Sequence, residues 1–152
     1  MEEHINDNEP LTKFLEDKKD YEVATGAIKV SAFYPSKSYA AISVFCTSNL
    51  TDAEIWDIAD SFVAPKRSPR NGSYRARADM KTVEVRGAGL RVEPETSEHP
   101  RHADILGWVT APRTAGSEEA INEIREKRAE YAAKLLQIST FVRRSTSNQD
   151  AA

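Results

Sequence analysis

A single cysteine, Cys46, stands among the 152 residues, so no internal disulfide can form and no CxxC redox pair is present. No stretch approaches the roughly 18 consecutive apolar residues of a membrane-spanning helix. The N-terminus lacks the basic, apolar pattern of a secretory leader. These absences point to a reduced, cytoplasmic protein that neither spans nor enters a membrane. Histidine is scarce: of three, His99 and His102 lie three apart, outside any HExxH or Cys-containing pattern, so no metal is expected there. The chain also lacks a P-loop, GxGxxG, GxSxG and internal repeats, and no cofactor is expected.

What is present suffices for one folded domain. The apolar fraction, 39%, is a little low and the charged fraction, 30%, a little high, which fits a compact body with solvated ends. Residues 1–25 are expected to form a flexible acidic arm, 26–140 a single α+β domain, and 141–152 a flexible tail. Within the arm, Leu11, Phe14 and Leu15 have helical spacing after Pro10 and could dock as one amphipathic turn. Charge is unevenly distributed, with 5 Lys or Arg against 12 Asp or Glu in residues 1–60, and 10 against 6 in residues 66–113. Arginine dominates the basic middle, which suits binding of phosphate or carboxylate through a planar fork. An ordinary solvated sheet face explains the same pattern, and a pI near 5.7 gives no ground for inferring nucleic acid.

The local patterns predict alternating strands and helices. Ala27–Tyr34 is rich in β-branched and aromatic residues before Pro35, and 40–46 is nearly all apolar, so both are expected as strands, the second central. Thr51, with Glu54 three residues on and Leu50 placed against Ile55, predicts an N-capped helix that Pro65 and Pro69 end. Asn71-Gly72 predicts a turn. From Tyr74 to Met80 the residues alternate, with Arg75, Arg77 and Asp79 on one face, a strand with a wet cationic side. Thr82–Arg86, Leu90–Val92 and Ile105–Val109 are expected as further strands. Ser117 caps a last helix to about Ile138, on which Tyr131, Leu135 and Ile138 continue an apolar seam. That seam is a candidate partner-binding surface, with packing on the sheet as the plainer reading.

The candidate site lies between the strands near Leu90 and Ile105, where a polar loop with Pro94 and Pro100 delivers His99, Arg101, His102 and Asp104 close together. Histidine serves as acid or base near neutral pH, and arginine can hold an anion beside it. Structural capping by His102 accounts for the same residues.

The segments VSAF (Val30–Phe33), SV (Ser43, Val44), GLRVEPE (Gly89–Glu95) and PRHADILGW (Pro100–Trp108) resemble a family of small uncharacterised bacterial proteins over about residues 28–108. The resemblance implies a bacterial protein and brings no activity with it. Where the family has an arginine near the first strand, this chain has Lys29.

The expected fold is α+β, a mostly antiparallel sheet of about five strands with two packed helices. The leading functional expectation is a non-enzymatic binding or accessory protein that engages a protein partner through Tyr131, Leu135 and Ile138 and the Arg-lined sheet face. Homo-oligomerisation is compatible with this reading. The alternative is a small enzyme acting on RNA or a nucleotide phosphate, with His102 and His99 as acid and base and Arg75, Arg77 and Arg101 on phosphate. Whether arginine and histidine share one cleft discriminates between the two.

Overall fold

The computed structural model describes residues 4–35, 40–108 and 117–145. They form a six-stranded, wholly antiparallel sheet with helices on both faces, an α+β fold. The strands are β1 (Pro10–Leu15), β2 (Ile42–Cys46), β3 (Ala76–Lys81), β4 (Arg91–Pro94), β5 (His102–Leu106) and β6 (Thr140–Arg143), in the order β4-β5-β2-β1-β3-β6. The helices are α1 (Asp52–Ile58), α2 (Ala64–Arg67), α3 (Thr82–Gly87) and α4 (Glu118–Ile138), with a 3-10 helix at Val30–Phe33. Among the described residues no helix is long and apolar enough to cross a membrane.

Two apolar cores sandwich the sheet. On one side Leu11, Leu15, Val44, Ala78 and Ile105 pack under Phe33, Val85 of α3, and Ala132 and Leu135 of α4. On the other, Phe14, Phe45 and Tyr74 pack under Ile55, Trp56, Ile58 and Ala59. Thr51 caps α1 as its spacing predicts: its side chain accepts from Glu54 N, and the Glu54 carboxylate accepts from Thr51 N. The helical path does not stop at Pro65. A π turn at Ala59–Val63 widens the spiral just ahead of the proline, which has no N–H to place, and the path ends at Arg67 with Ser68 left-handed.

Four expectations are corrected. Residues 10–15 are not part of a flexible arm but a central strand, paired along its whole length with β3. Leu11 and Leu15 turn to one core and Phe14 to the other, so with both faces covered the apolar residues need not alternate and their spacing imitates a helix. Ala27–Tyr34 is not a strand: only Ile28 forms an isolated bridge, to Tyr21, and the 3-10 helix then drops Ala32 and Phe33 into the core. Thr82–Arg86 is helical. Its first backbone donors are taken by Glu9 O and Asp7 O, at 3.1 and 2.9 Å, and Val85 is buried, so tertiary contacts override the β-branched composition. The tail supplies β6, on the β3 edge, where Arg144 is fixed to Asp60 through hydrogen bonds of 2.9 and 2.6 Å. Val109 and residues 1–3, 36–39 and 146–152 lie outside the described residues.

The helix seam is corrected as well. Leu135 is fully buried, and Ile138 and Tyr131 pack against the core, with the Tyr131 ring edge-on to Trp108. Gly89, at φ +102°, brings the chain to the Tyr131 ring, which a Cβ there would meet at 3.2 Å.

Candidate functional site

The sheet is continuous except between β1 and β2. These strands pair at Leu11–Cys46 and Thr12–Phe45; extending the register would join Lys13 to Val44 and Phe14 to Ser43, and neither pair forms. Lys13 stands at the start of the parting. A groove of about 770 Å³ opens there, walled by β1, β2, β5, the segment near Val63 and Arg67, and the loop that carries Glu95 to Glu98.

Four rings form its floor: Tyr74 lies 6.0 Å from Phe14, Phe14 5.9 Å from Phe45, and Phe45 5.4 Å from His102. The two ends differ in charge. Around Tyr74 gather Lys13, Lys19 and Arg67 with Glu16 and Asp20. Burial lowers Lys13 below the ordinary lysine range; Arg67 and Lys19 add to this while Asp20 opposes it. Around His102 stand Glu95 and Asp104, while Glu98 on the groove wall is paired with Lys66 at 2.6 Å. Burial raises Asp104, and a hydrogen bond from Ser97 lowers Glu95.

His102, at the start of β5, is held at both ring nitrogens. Nδ1 lies 2.7 Å from Glu95 O and Nε2 3.0 Å from Ser43 Oγ. A carbonyl can only accept, so Nδ1 carries a proton, and in the neutral ring Nε2 offers its lone pair to the serine hydroxyl. The register brings this about: His102 lies opposite Phe45 and Asp104 opposite Ser43, which sets Ser43 and His102 diagonally on one face.

The other expected site residues are engaged elsewhere. His99 accepts from Arg101 N at 3.0 Å and packs edge-on against Phe62 and Phe45, outside the groove lining. Burial, followed by the charges of His102 and Arg101, lowers its pKa. Arg101 Nη1 donates to Cys46 O at 3.1 Å. Arg75 donates to Asp17, its Nε at 3.0 Å. Arg77 does not lie on a wet face: it is 5% exposed, donates to Asp79 and Asp52, and lies under the Trp56 ring of α1. These three arginines hold the fold, and the groove's basic side chains are Lys13, Lys19 and Arg67, which sequence reasoning missed. Among the described residues no group of three or more His, Cys, Asp or Glu side chains is placed to hold a metal ion.

Comparison with known protein families, characterised proteins and solved structures finds no match. The groove's chemistry therefore carries the functional argument.

Proposed function

We propose that the chain binds a small molecule in the groove between β1 and β2, a ligand with a flat or apolar body and an anionic group at one end. The observation that carries this reading is the interrupted β1–β2 ladder, which leaves an aromatic floor open and brings Lys13, Lys19 and Arg67 beside it. Ring stacking would hold the body, and the cations would draw a phosphate or carboxylate. Thermal unfolding in the presence of mononucleotides, aryl phosphates and aryl carboxylates tests it. A true ligand at about a hundred times its Kd adds about 2.7 kcal/mol, a Tm rise of several degrees. Lys13→Met and Arg67→Ala should abolish that rise. If no member of the panel raises Tm, or if both variants respond as the parent does, the reading fails.

A second reading, engagement of a protein partner, keeps one observation in its favour. The first half of α4 extends free of the cores, with Ile121 36% exposed among charged neighbours. Cross-linking in native extracts, compared between the parent chain and Ile121→Lys, tests it.

A further inference from the structure

We propose that Ser43 is a nucleophile, activated by His102 and oriented through Glu95, and that the groove hydrolyses a carboxylic ester. The assignment rests on the groove being a ligand site and adds a reaction to it. Serine reacts with a carbonyl only when a base takes its proton, and the base must itself be fixed in the right tautomer. Both conditions are met here. Nε2 of His102 sits 3.0 Å from Ser43 Oγ, and Nδ1–H is anchored 2.7 Å from the Glu95 carbonyl, with Glu95 Oε1 at 3.3 Å. Ser43 is exposed on the groove wall, so a substrate can reach it, whereas the His102 side chain is only 15% exposed and keeps its orientation.

The charges select the bond that is cleaved. Beside His102 the groove carries Glu95 and Asp104, which disfavour a phosphate diester and tolerate a neutral carbonyl. The cations lie toward Tyr74, so the anionic group of the substrate would sit away from the ester, with its body along Phe14 and Phe45. Ser43 Oγ bonds to the acyl carbon as its proton passes to His102 Nε2. The ester C–O bond then breaks, and the alcohol leaves with that proton. Water adds to the acyl carbon, giving a proton to His102 that returns to Ser43 Oγ as the acyl bond breaks and the carboxylic acid departs.

A fluorophosphonate, which forms a stable phosphonyl ester on activated serines with loss of fluoride, is the probe, applied to the full chain and followed by intact mass and peptide mapping. Ser43 should be the labelled residue. Ser43→Ala should remove the label, and His102→Asn, which keeps an N–H for the Glu95 carbonyl and removes the base, should slow labelling by at least about a hundredfold. Circular dichroism confirms that both variants are folded, and hydrolysis of p-nitrophenyl acetate should fall in parallel. An unlabelled Ser43 in the folded parent, or labelling indifferent to His102→Asn, overturns the nucleophile. If the anion panel still raises Tm in that case, the ligand reading survives its loss.

Discussion

Asp17 offers the sharpest test of how the groove wall is built. It is 2% exposed, and three donors converge on its carboxylate: Tyr21 Oη on Oδ1, and Asn71 Nδ2 at 2.7 Å and Arg75 Nε at 3.0 Å on Oδ2. It thereby ties the chain just after β1, ahead of the groove residues Lys19 and Asp20, to the turn at Asn71 and to Arg75 at the entry to β3. In Asp17→Asn an amide nitrogen replaces one oxygen. If it takes the Oδ2 place it faces two donors; if it takes the other, it faces Tyr21. Each lost bond to a carboxylate is worth about 1.5–3 kcal/mol. The Arg75 side chain is 52% exposed, so its share is reduced by solvent screening, and a net loss of about 2–4 kcal/mol follows. For a chain of this size that lowers Tm by roughly 5–15 °C.

Burial pushes the Asp17 carboxyl up, and the Tyr21, Arg75 and Asn71 hydrogen bonds outweigh it, leaving the group below its ordinary value. A depressed folded-state pKa contributes stability that is complete above the unfolded value, near 3.9, and is lost as pH falls through the folded one. Urea unfolding of parent and variant from pH 7 to pH 3 should therefore show a constant gap down to about pH 5 that narrows below about pH 4. A gap under about 0.5 kcal/mol at pH 7, the scale of a neutral surface change, refutes the argument, as does a gap that widens in acid.

Two further outcomes follow from burial. Leu135→Ala should cost about 3 kcal/mol in chemical denaturation, because the side chain is fully buried in the core under α4; a change below 1 kcal/mol would restore the seam as a partner surface. Burial, with Glu9 adding to it, pushes the Cys46 thiol up to about 11, so at pH 8 it should react with a disulfide reagent more than about a hundredfold slower in the native chain than in urea. Equal rates would show that β2 opens readily.

What the sequence discloses depends on how far each signal reaches along the chain. The Thr51 capping box and the Ser117 cap act within three residues, and both helices begin where these place them. The fold class, the central place of β2 and the Arg77 strand follow from local composition as well. Pro10–Leu15 misleads because a strand covered on both sides needs no alternation, and acidic neighbours, among them the buried Asp17 and Asp20, dilute its apolar residues. Arg77 misleads in the opposite way: alternation correctly sets its side of the strand, but no periodicity says that α1 will lie over that side. The site residues divide along the same line. His102 is visible as a scarce residue in a rigid loop. Ser43 is one serine in an apolar run, and its proximity to His102 arises only from the register of β2 against β5, in which residues 59 positions apart meet diagonally. A one-residue slip of that register would turn Ser43 to the opposite face, so the Ser43–His102 contact and the partition of Val44 and Phe45 between the two cores are set by the same pairing. A substitution that loosens the pairing should therefore weaken packing and fluorophosphonate labelling together.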